Sequence, residues 1–177
     1  MSIFPTKILL ATDASEEAAL AARTATDIAD KTGSELHLVL VGLSAAYVGM
    51  GPPEIADIPA PSQQELNEEA QRLLDAQAEQ IKAHGGTVAQ AHLRIGRPDE
   101  QIVALAEDIG AGLIVMGSRG LGRIRRLLMG SVSDSVVRHA HCPVLIVRAQ
   151  KRGWRYPEAE GSVSTVRRPR REGAEKK

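Results

Sequence analysis

The segment VMGSRGLGRIRRLLMGSVS, residues 115–133, decides how the rest of the chain is interpreted. It opens on the end of a short apolar run, residues 113–116, whose branched side chains are typical of a strand covered on both faces. Gly117 and Gly120 follow, and glycine suits a place where the chain must turn and where a ligand approaches the backbone. The segment therefore predicts a buried strand that ends in a glycine-rich loop.

The spacing of the glycines indicates a phosphate-binding loop. It is Gly117-x2-Gly120-x9-Gly130-Ser131, and a helix is predicted to follow with Ser131 or Ser133 as its N-cap. Backbone N–H groups at a helix N-terminus suit a phosphate. The spacing differs from that of a Walker A loop, which needs Gly-Lys-Ser/Thr, and from the dinucleotide fingerprint at a first strand–helix turn.

Strands and helices alternate along the whole of the chain before residue 150. Near-continuous apolar runs and alternating segments predict five strands, at 7–13, 34–41, 87–95, 113–116 and 142–148. This order predicts an α/β domain with a doubly wound, five-stranded parallel sheet. Ligands of such sheets bind beyond the carboxyl ends of the strands, so Asp13, Val41 and Gly117 are expected along one edge.

Capping patterns mark where the helices begin. Asp13 and Glu16 have the spacing of a capping box, and Ser15 is an alternative N-cap for the same helix. The run SQQE, which starts at Ser62, is a second capping box. Pro98 is predicted at the first position of the third helix, where its missing N–H costs no hydrogen bond.

Composition limits the class of protein. The 177 residues suit about one domain, and a hydrophobic fraction of 43% with only 2% aromatic residues predicts an aliphatic core. The single cysteine, Cys142, excludes a disulfide within the chain, is interpreted as a buried structural thiol, and favours a cytoplasmic location. The N-terminus lacks a signal-peptide pattern, and no apolar run is long enough for a bilayer, so no membrane partner is expected.

Two segments lack regular periodicity. Residues 42–61 contain Pro52-Pro53 and predict a long loop that could cover a pocket. Residues 151–177 hold nine Lys or Arg and four Asp or Glu, which predicts a basic, disordered tail after a domain at 1–149. Solubility or a protein partner is the favoured role for the tail at 150–177, and nucleic-acid binding is the less favoured alternative.

The glycine motif and three other blocks resemble the universal stress protein family, in its ATP-binding branch. The resemblance covers roughly residues 4–149, and it implies a Rossmann-like sheet of the adenine nucleotide alpha hydrolase-like kind. Several blocks in the right order are more specific than one motif. The three other blocks are ILLATD at 8–13, Gly96-x-Pro98, and HCPVLIV at 141–147.

Carried over position by position, the resemblance implies an adenine-nucleotide site. Thr12 and Asp13, with Ala11, would meet the base and ribose, and Val41 would meet the adenine through backbone groups. The ribose side and the phosphates would be met by Met116, Gly117, Arg119, Gly120, Gly130, Ser131, Val132 and Ser133.

The same resemblance implies the ligand and the assembly. The nucleotide would be ATP, or ADP or AMP, bound with Mg²⁺ or Mn²⁺, and Asp13 is the candidate metal contact through the nucleotide-bound ion. A homodimer would form by edge pairing of the strand 144–148. The chain departs from the family at Ala14, where relatives often have glycine, and little harm is expected unless this position needs a positive φ.

The function implied is regulatory binding of an adenine nucleotide in a stress response. Asp13 is the only carboxylate that the motifs bring to the site, and no Walker lysine is present, so an enzyme is not favoured. A slow ATP hydrolase of the same fold is one alternative. The other is a dimeric interaction module that binds no nucleotide, which the intact glycine motif disfavours.

Overall fold

The computed structural model describes residues 2–44, 61–118 and 130–148, and the elements alternate there as predicted. The strands are β1 (Lys7–Thr12), β2 (Glu35–Gly42), β3 (Gln90–Ile95), β4 (Ala111–Gly117) and β5 (Val144–Val147). The helices are α1 (Glu16–Thr32), α2 (Gln63–Ala83), α3 (Pro98–Ile109) and α4 (Ser131–His139).

All five strands are parallel, in the order β3-β2-β1-β4-β5. The central strand β1 pairs on both sides, so that Leu9 lies between His37 of β2 and Ile114 of β4. From β1 the chain continues to β2 on one side, whereas β4 lies on the other. The strand order therefore reverses between β1 and β4, where a crevice opens beyond the carboxyl ends of the strands.

Two aliphatic layers cover the faces of the sheet. Ile8 and Leu10 point to one face, where they pack with the alanine stripe of α1 and with Leu74 of α2. Leu9 and Ala11 point to the other face, which α3 and α4 cover. Because both faces of β1 are buried, its side chains form the uninterrupted apolar run seen in the sequence.

The bounds of all five strands differ from the prediction by one to three residues, and three of the differences have a structural reason. β5 begins at Val144 rather than at Cys142, since Pro143 has no N–H to donate to a ladder. β3 begins at Gln90, where its pairing with β2 starts, rather than at Thr87. β2 extends to Gly42 rather than ending at Val41. Glycine fits this last position because a Cβ there would lie only 2.9 Å from Ile95 Cδ1.

The predicted caps are partly confirmed. Ser15 is the N-cap of α1, and its Oγ accepts a hydrogen bond from the N–H of Ala18 at 3.2 Å. Ser15 is the predicted alternative, and the capping box predicted for Asp13 and Glu16 is wrong because Asp13 lies two positions too early; its Oδ1 instead accepts from the N–H of Ser15 at 3.1 Å. The capping box of Ser62 and Glu65 and the first position of Pro98 in α3 are confirmed.

Several predictions fall on residues outside the described ranges. They concern most of the loop predicted at 42–61, the basic tail, and the domain boundary at 149, which all stay predictions. Within residues 2–44, 61–118 and 130–148, no helix combines the length and the apolarity that a bilayer span needs.

Ala14, at the turn between β1 and α1, has a left-handed backbone. Its φ is 61°, and it is the one non-glycine residue with a positive φ in the described part of the chain. This conformation brings its N–H to 3.2 Å from Thr12 Oγ1. The position thus requires the positive φ that glycine adopts without strain, and an L residue there is strained by about 1–2 kcal/mol.

We therefore expect Ala14→Gly to raise the free energy of unfolding by about 0.5–1 kcal/mol, because relief of strain exceeds the added entropy of the unfolded chain. Ala89→Gly is the matched control, at an exposed alanine outside the helices where φ is not positive. It should lower the free energy of unfolding instead. Urea unfolding measures both, and equal losses in the two variants would contradict the assignment of strain to Ala14.

Candidate functional site

A cavity lies at the crevice between β1 and β4, at the carboxyl edge of the sheet. It has a volume of about 120 Å³ and is bounded by the ends of three strands and by the starts of three helices. Its lining consists of Ala11, Thr12, Asp13, Ala18, Val39, Val41, Pro98, Ile102, Met116, Gly117, Val132 and Ser133. The volume is small beside the ~300–1,000 Å³ of typical small-molecule sites, so a large ligand would extend past the cavity mouth.

The cavity brings together most of the residues that the sequence nominated. Gly130 and Ser131 do not line it but come directly before Val132 in the chain, whereas Arg119 and Gly120 lie outside the described residues. Eight of the twelve nominated residues line it: Ala11, Thr12, Asp13, Val41, Met116, Gly117, Val132 and Ser133. The structure adds four residues that sequence reasoning missed: Ala18, Val39, Pro98 and Ile102.

The floor of the cavity is apolar and its rim is polar. Val39, Ile102 and Met116 form part of the floor and belong to the core beneath α3 and α4. Asp13 is half-buried at the rim. An apolar slot with a few polar groups at its edge suits a flat ring system that carries polar substituents.

The hydroxyl of Thr12 is engaged within the protein. Thr12 is 8% exposed, and its Oγ1 donates to Gln77 Oε1 of α2 at 3.2 Å. The same oxygen accepts from the N–H of Ala14, also at 3.2 Å. Thr12 therefore fixes the turn that presents Asp13, and a ligand would meet mainly the backbone of Thr12.

The start of α4 differs from the prediction. Its N-cap is Gly130, rather than Ser131 or Ser133, and among the described residues no side chain caps the helix. Ser133 is 2% exposed, and its Oγ donates to the carbonyl oxygens of Ser118 and Gly130, at 2.9 and 3.0 Å. Ser131 and Ser133 lie inside α4, so neither has the extended backbone of an N-cap, which Gly130 adopts instead. Within the described part of the chain the N-terminus of α4 thus has no side-chain cap, which favours an anion at this end.

Ser118 joins the elements around the site, although nothing in the sequence singled it out. It is fully buried, and its Oγ donates to Glu17 Oε2 at 2.6 Å. Its N–H donates to the carbonyl of Val147, and its own carbonyl accepts from the N–H of Gly130, both at 2.8 Å. The two ends of the segment 119–129 are thereby fixed to each other.

A cluster of titratable side chains, His37, His92 and Glu35, lies away from the cavity. His37 is partnered: its Nδ1 lies 3.1 Å from Nε2 of His92, and its Nε2 lies 3.5 Å from Glu35 Oε2. Burial lowers the pKa of His92, with smaller effects from His37 and Arg94. Both histidines precede the carboxyl ends of their strands, so they stand apart from the site.

Cys142 is interpreted as structural. Its side chain packs beside the core beneath α3 and α4, and burial raises the pKa of the thiol above its usual range. A raised pKa lowers the fraction of reactive thiolate at neutral pH. The thiol is half-buried rather than buried as predicted, and its contacts agree with a role in packing.

Comparison with known proteins places this geometry in a family. A profile described as the universal stress protein family matches residues 5–148, which is most of the chain. The chain belongs to the universal stress protein family. A universal stress protein of Methanocaldococcus jannaschii is 32% identical over 148 residues, which cover 82% of this chain and 84% of that protein.

Solved structures of universal stress proteins share the fold. UspA from Lactobacillus plantarum superposes with a TM-score of 0.68 at 24% identity, over 82% of this chain and 99% of that one. A universal stress protein solved in complex with cAMP gives a TM-score of 0.61 at 24% identity, over 82% of this chain and 98% of its own. The predicted family and the predicted doubly wound fold are thus confirmed.

Proposed function

We propose that this universal stress protein binds an adenine nucleotide, with ATP as the favoured ligand, and that occupancy of the site regulates its interactions. The cavity at the strand switch point carries the proposal, because it unites the predicted residues of β1, β2, β4 and α4 around one apolar slot. The solved relative with cAMP is too distant to show more than the fold. The argument for a nucleotide therefore rests on the chain's own pocket.

The cavity would hold the adenine ring. Val39 and Val41 approach it from β2, Met116 from β4 and Ile102 from α3, so a planar ring would be covered on its faces by apolar side chains. The polar rim would meet the edge of the ring and the sugar. The carboxylate of Asp13 suits the ribose hydroxyls, because it can accept hydrogen bonds from both of them.

The phosphates would extend from the cavity to the start of α4. The N–H groups of Ser131, Val132 and Ser133 lie in its first turn, where none of the described side chains forms a cap. A helix N-terminus carries partial positive charge and stabilises an anion. In this proposal Mg²⁺ or Mn²⁺ enters with the nucleotide, and Asp13 is its protein contact through the bound ion.

A regulatory role agrees with the chemistry of the cavity better than catalysis does. Asp13 is the one carboxylate among the described residues that line it, and its Oδ1 already accepts a hydrogen bond from Ser15. A ligand shifts a conformational equilibrium only by its difference in affinity for the two states. Slow hydrolysis of ATP is the alternative function of the same pocket, and a nucleotide-free interaction module is the alternative without it.

Filling the cavity tests the proposal. MgATP at about 100 times its dissociation constant should stabilise the wild-type protein by about 2.7 kcal/mol in thermal unfolding. We expect Val41→Phe to abolish this shift, because the larger ring occupies the adenine slot. Val137→Phe is the matched control at a valine that is 45% exposed on α4, and it should keep the shift. No shift in the wild-type protein would exclude the nucleotide proposal.

We also propose a homodimer that forms through β5, which lies at an edge of the sheet. The carbonyls of Pro143 and Val147 accept hydrogen bonds from β4. Since polar backbone groups alternate along a strand, those of Val144 and Ile146 point away from β4, toward a partner strand. The expected cytoplasmic location and a protein partner for the tail stay predictions.

Sedimentation equilibrium tests the dimer. We expect a mass of twice the 18.9 kDa of the chain at micromolar protein concentrations. Ile146→Pro should yield the single-chain mass, because proline removes the outward N–H of the strand while the hydrogen bonds to β4 remain. A wild-type protein with the mass of one chain would contradict pairing through β5.

A further inference from the structure

Glu17 lies in the first turn of α1 and reaches across to the end of β4. Its Oε2 accepts a hydrogen bond from Ser118 Oγ at 2.6 Å, although the two residues are 101 positions apart in the chain. This length is typical of a hydroxyl that donates to an ionised carboxylate, which is stronger than a bond between neutral groups. The contact is therefore a firm link between α1 and the residue at which β4 ends.

Ser118 passes this link on to the start of α4. Its carbonyl accepts from the N–H of Gly130 at 2.8 Å and from Ser133 Oγ at 2.9 Å. On its other side, its N–H donates to Val147 of β5 at 2.8 Å. The orientation of the Ser118 backbone thus sets where the first turn of α4 lies. Glu17 accepts the hydrogen bond from the Ser118 hydroxyl and so holds this residue in place.

We propose that Glu17 is a positioning residue for the phosphates of the bound nucleotide. It acts through Ser118 on the first turn of α4 and does not need to touch the ligand. This inference rests on the proposed function, because it assigns the phosphates to that turn. The slot for the base should depend much less on Glu17, since Val39, Ile102 and Met116 are held by the core beneath α3 and α4.

Two neighbouring acidic residues allow a matched comparison. Glu16 carries the same charge as Glu17 and lies in the same helical turn, but the side chain of Glu16 is exposed. Glu16→Ala therefore reproduces the loss of charge near the N-terminus of α1 without removing the contact to Ser118. Glu17→Gln keeps an oxygen that can accept the hydrogen bond from Ser118 Oγ, so it should largely restore the effect of Glu17→Ala.

The decisive readout is the ratio of the affinities for ATP and for adenosine, which lacks phosphates. By calorimetry we expect Glu17→Ala to weaken the affinity for MgATP about tenfold and the affinity for adenosine less than about twofold. A loss of about tenfold corresponds to one charge-assisted hydrogen bond, here the bond that positions the phosphate site. Glu17→Gln should bind MgATP within about threefold of the wild-type protein, and Glu16→Ala should match the wild type. Equal losses for MgATP and adenosine, or no loss in Glu17→Ala, would overturn the proposal.

A second measurement needs no ligand and separates this proposal from the nucleotide hypothesis. The N–H of Gly130 is protected from hydrogen exchange by its bond to Ser118. Glu17→Ala should speed exchange at this amide by about tenfold relative to Glu16→Ala, with little change at Leu9 in the central strand. If the wild-type protein bound no nucleotide but this exchange rose, the function proposed above would fail and the link through Ser118 would stand. Unchanged exchange at Gly130 would refute the link itself.

Discussion

The reversal of strand order between β1 and β4 is the constraint on which the rest of the structure depends. β1 is buried on both faces and paired on both sides, so its position in the sheet is fixed. The connections from these two strands lead to opposite halves of the sheet, and within residues 2–44, 61–118 and 130–148 a cavity lies beyond their carboxyl ends. The core thus stabilises the fold and leaves a cavity where a ligand can enter between Asp13 and Gly117.

Polar groups around this opening are held by each other rather than by solvent. Thr12 bonds to Gln77, Ser118 to Glu17, and Ser133 to the carbonyl of Ser118. Among the described residues, no buried side-chain nitrogen or oxygen atom lacks a hydrogen-bond partner. Side chains thereby fix the loop ends, and backbone N–H groups at the start of α4 remain to meet an anion.

The sequence predicted the fold well because its signals are local. The apolar run at Ile8–Ala11 predicts a buried strand and the SQQE box at Ser62 predicts a helix start. Both predictions use only neighbouring residues and no contact with distant parts of the chain. The N-cap of α4 was predicted one to three residues late, because serine is a good N-cap in general, whereas the extended residue before the helix here is Gly130, whose N–H bonds to the carbonyl of Ser118. At this point a tertiary contact, the bond between Gly130 and Ser118, determines the helix start, rather than the local preference of serine for the N-cap.

Parts of the candidate site were not predictable because they depend on long-range contacts. The family resemblance nominated Gly117 and Val132, whereas Val39 and Ile102 reach the cavity only through the sheet order and the docking of α3. The contact of Glu17 with Ser118 joins residues 101 positions apart, and neither belongs to a recognised spacing. Family resemblance transfers the positions of a motif, but not the contacts that are particular to one chain.

The most direct test of the account is to map the amide chemical shifts of the protein by NMR as MgATP is added. The account predicts that the largest changes fall at the carboxyl ends of β1, β2 and β4 and in the first turn of α4, at Asp13, Val41, Gly117 and Val132. Changes confined to residues 150–177, or to the amino ends of the strands near His37, would contradict it. So would the absence of any change at saturating nucleotide.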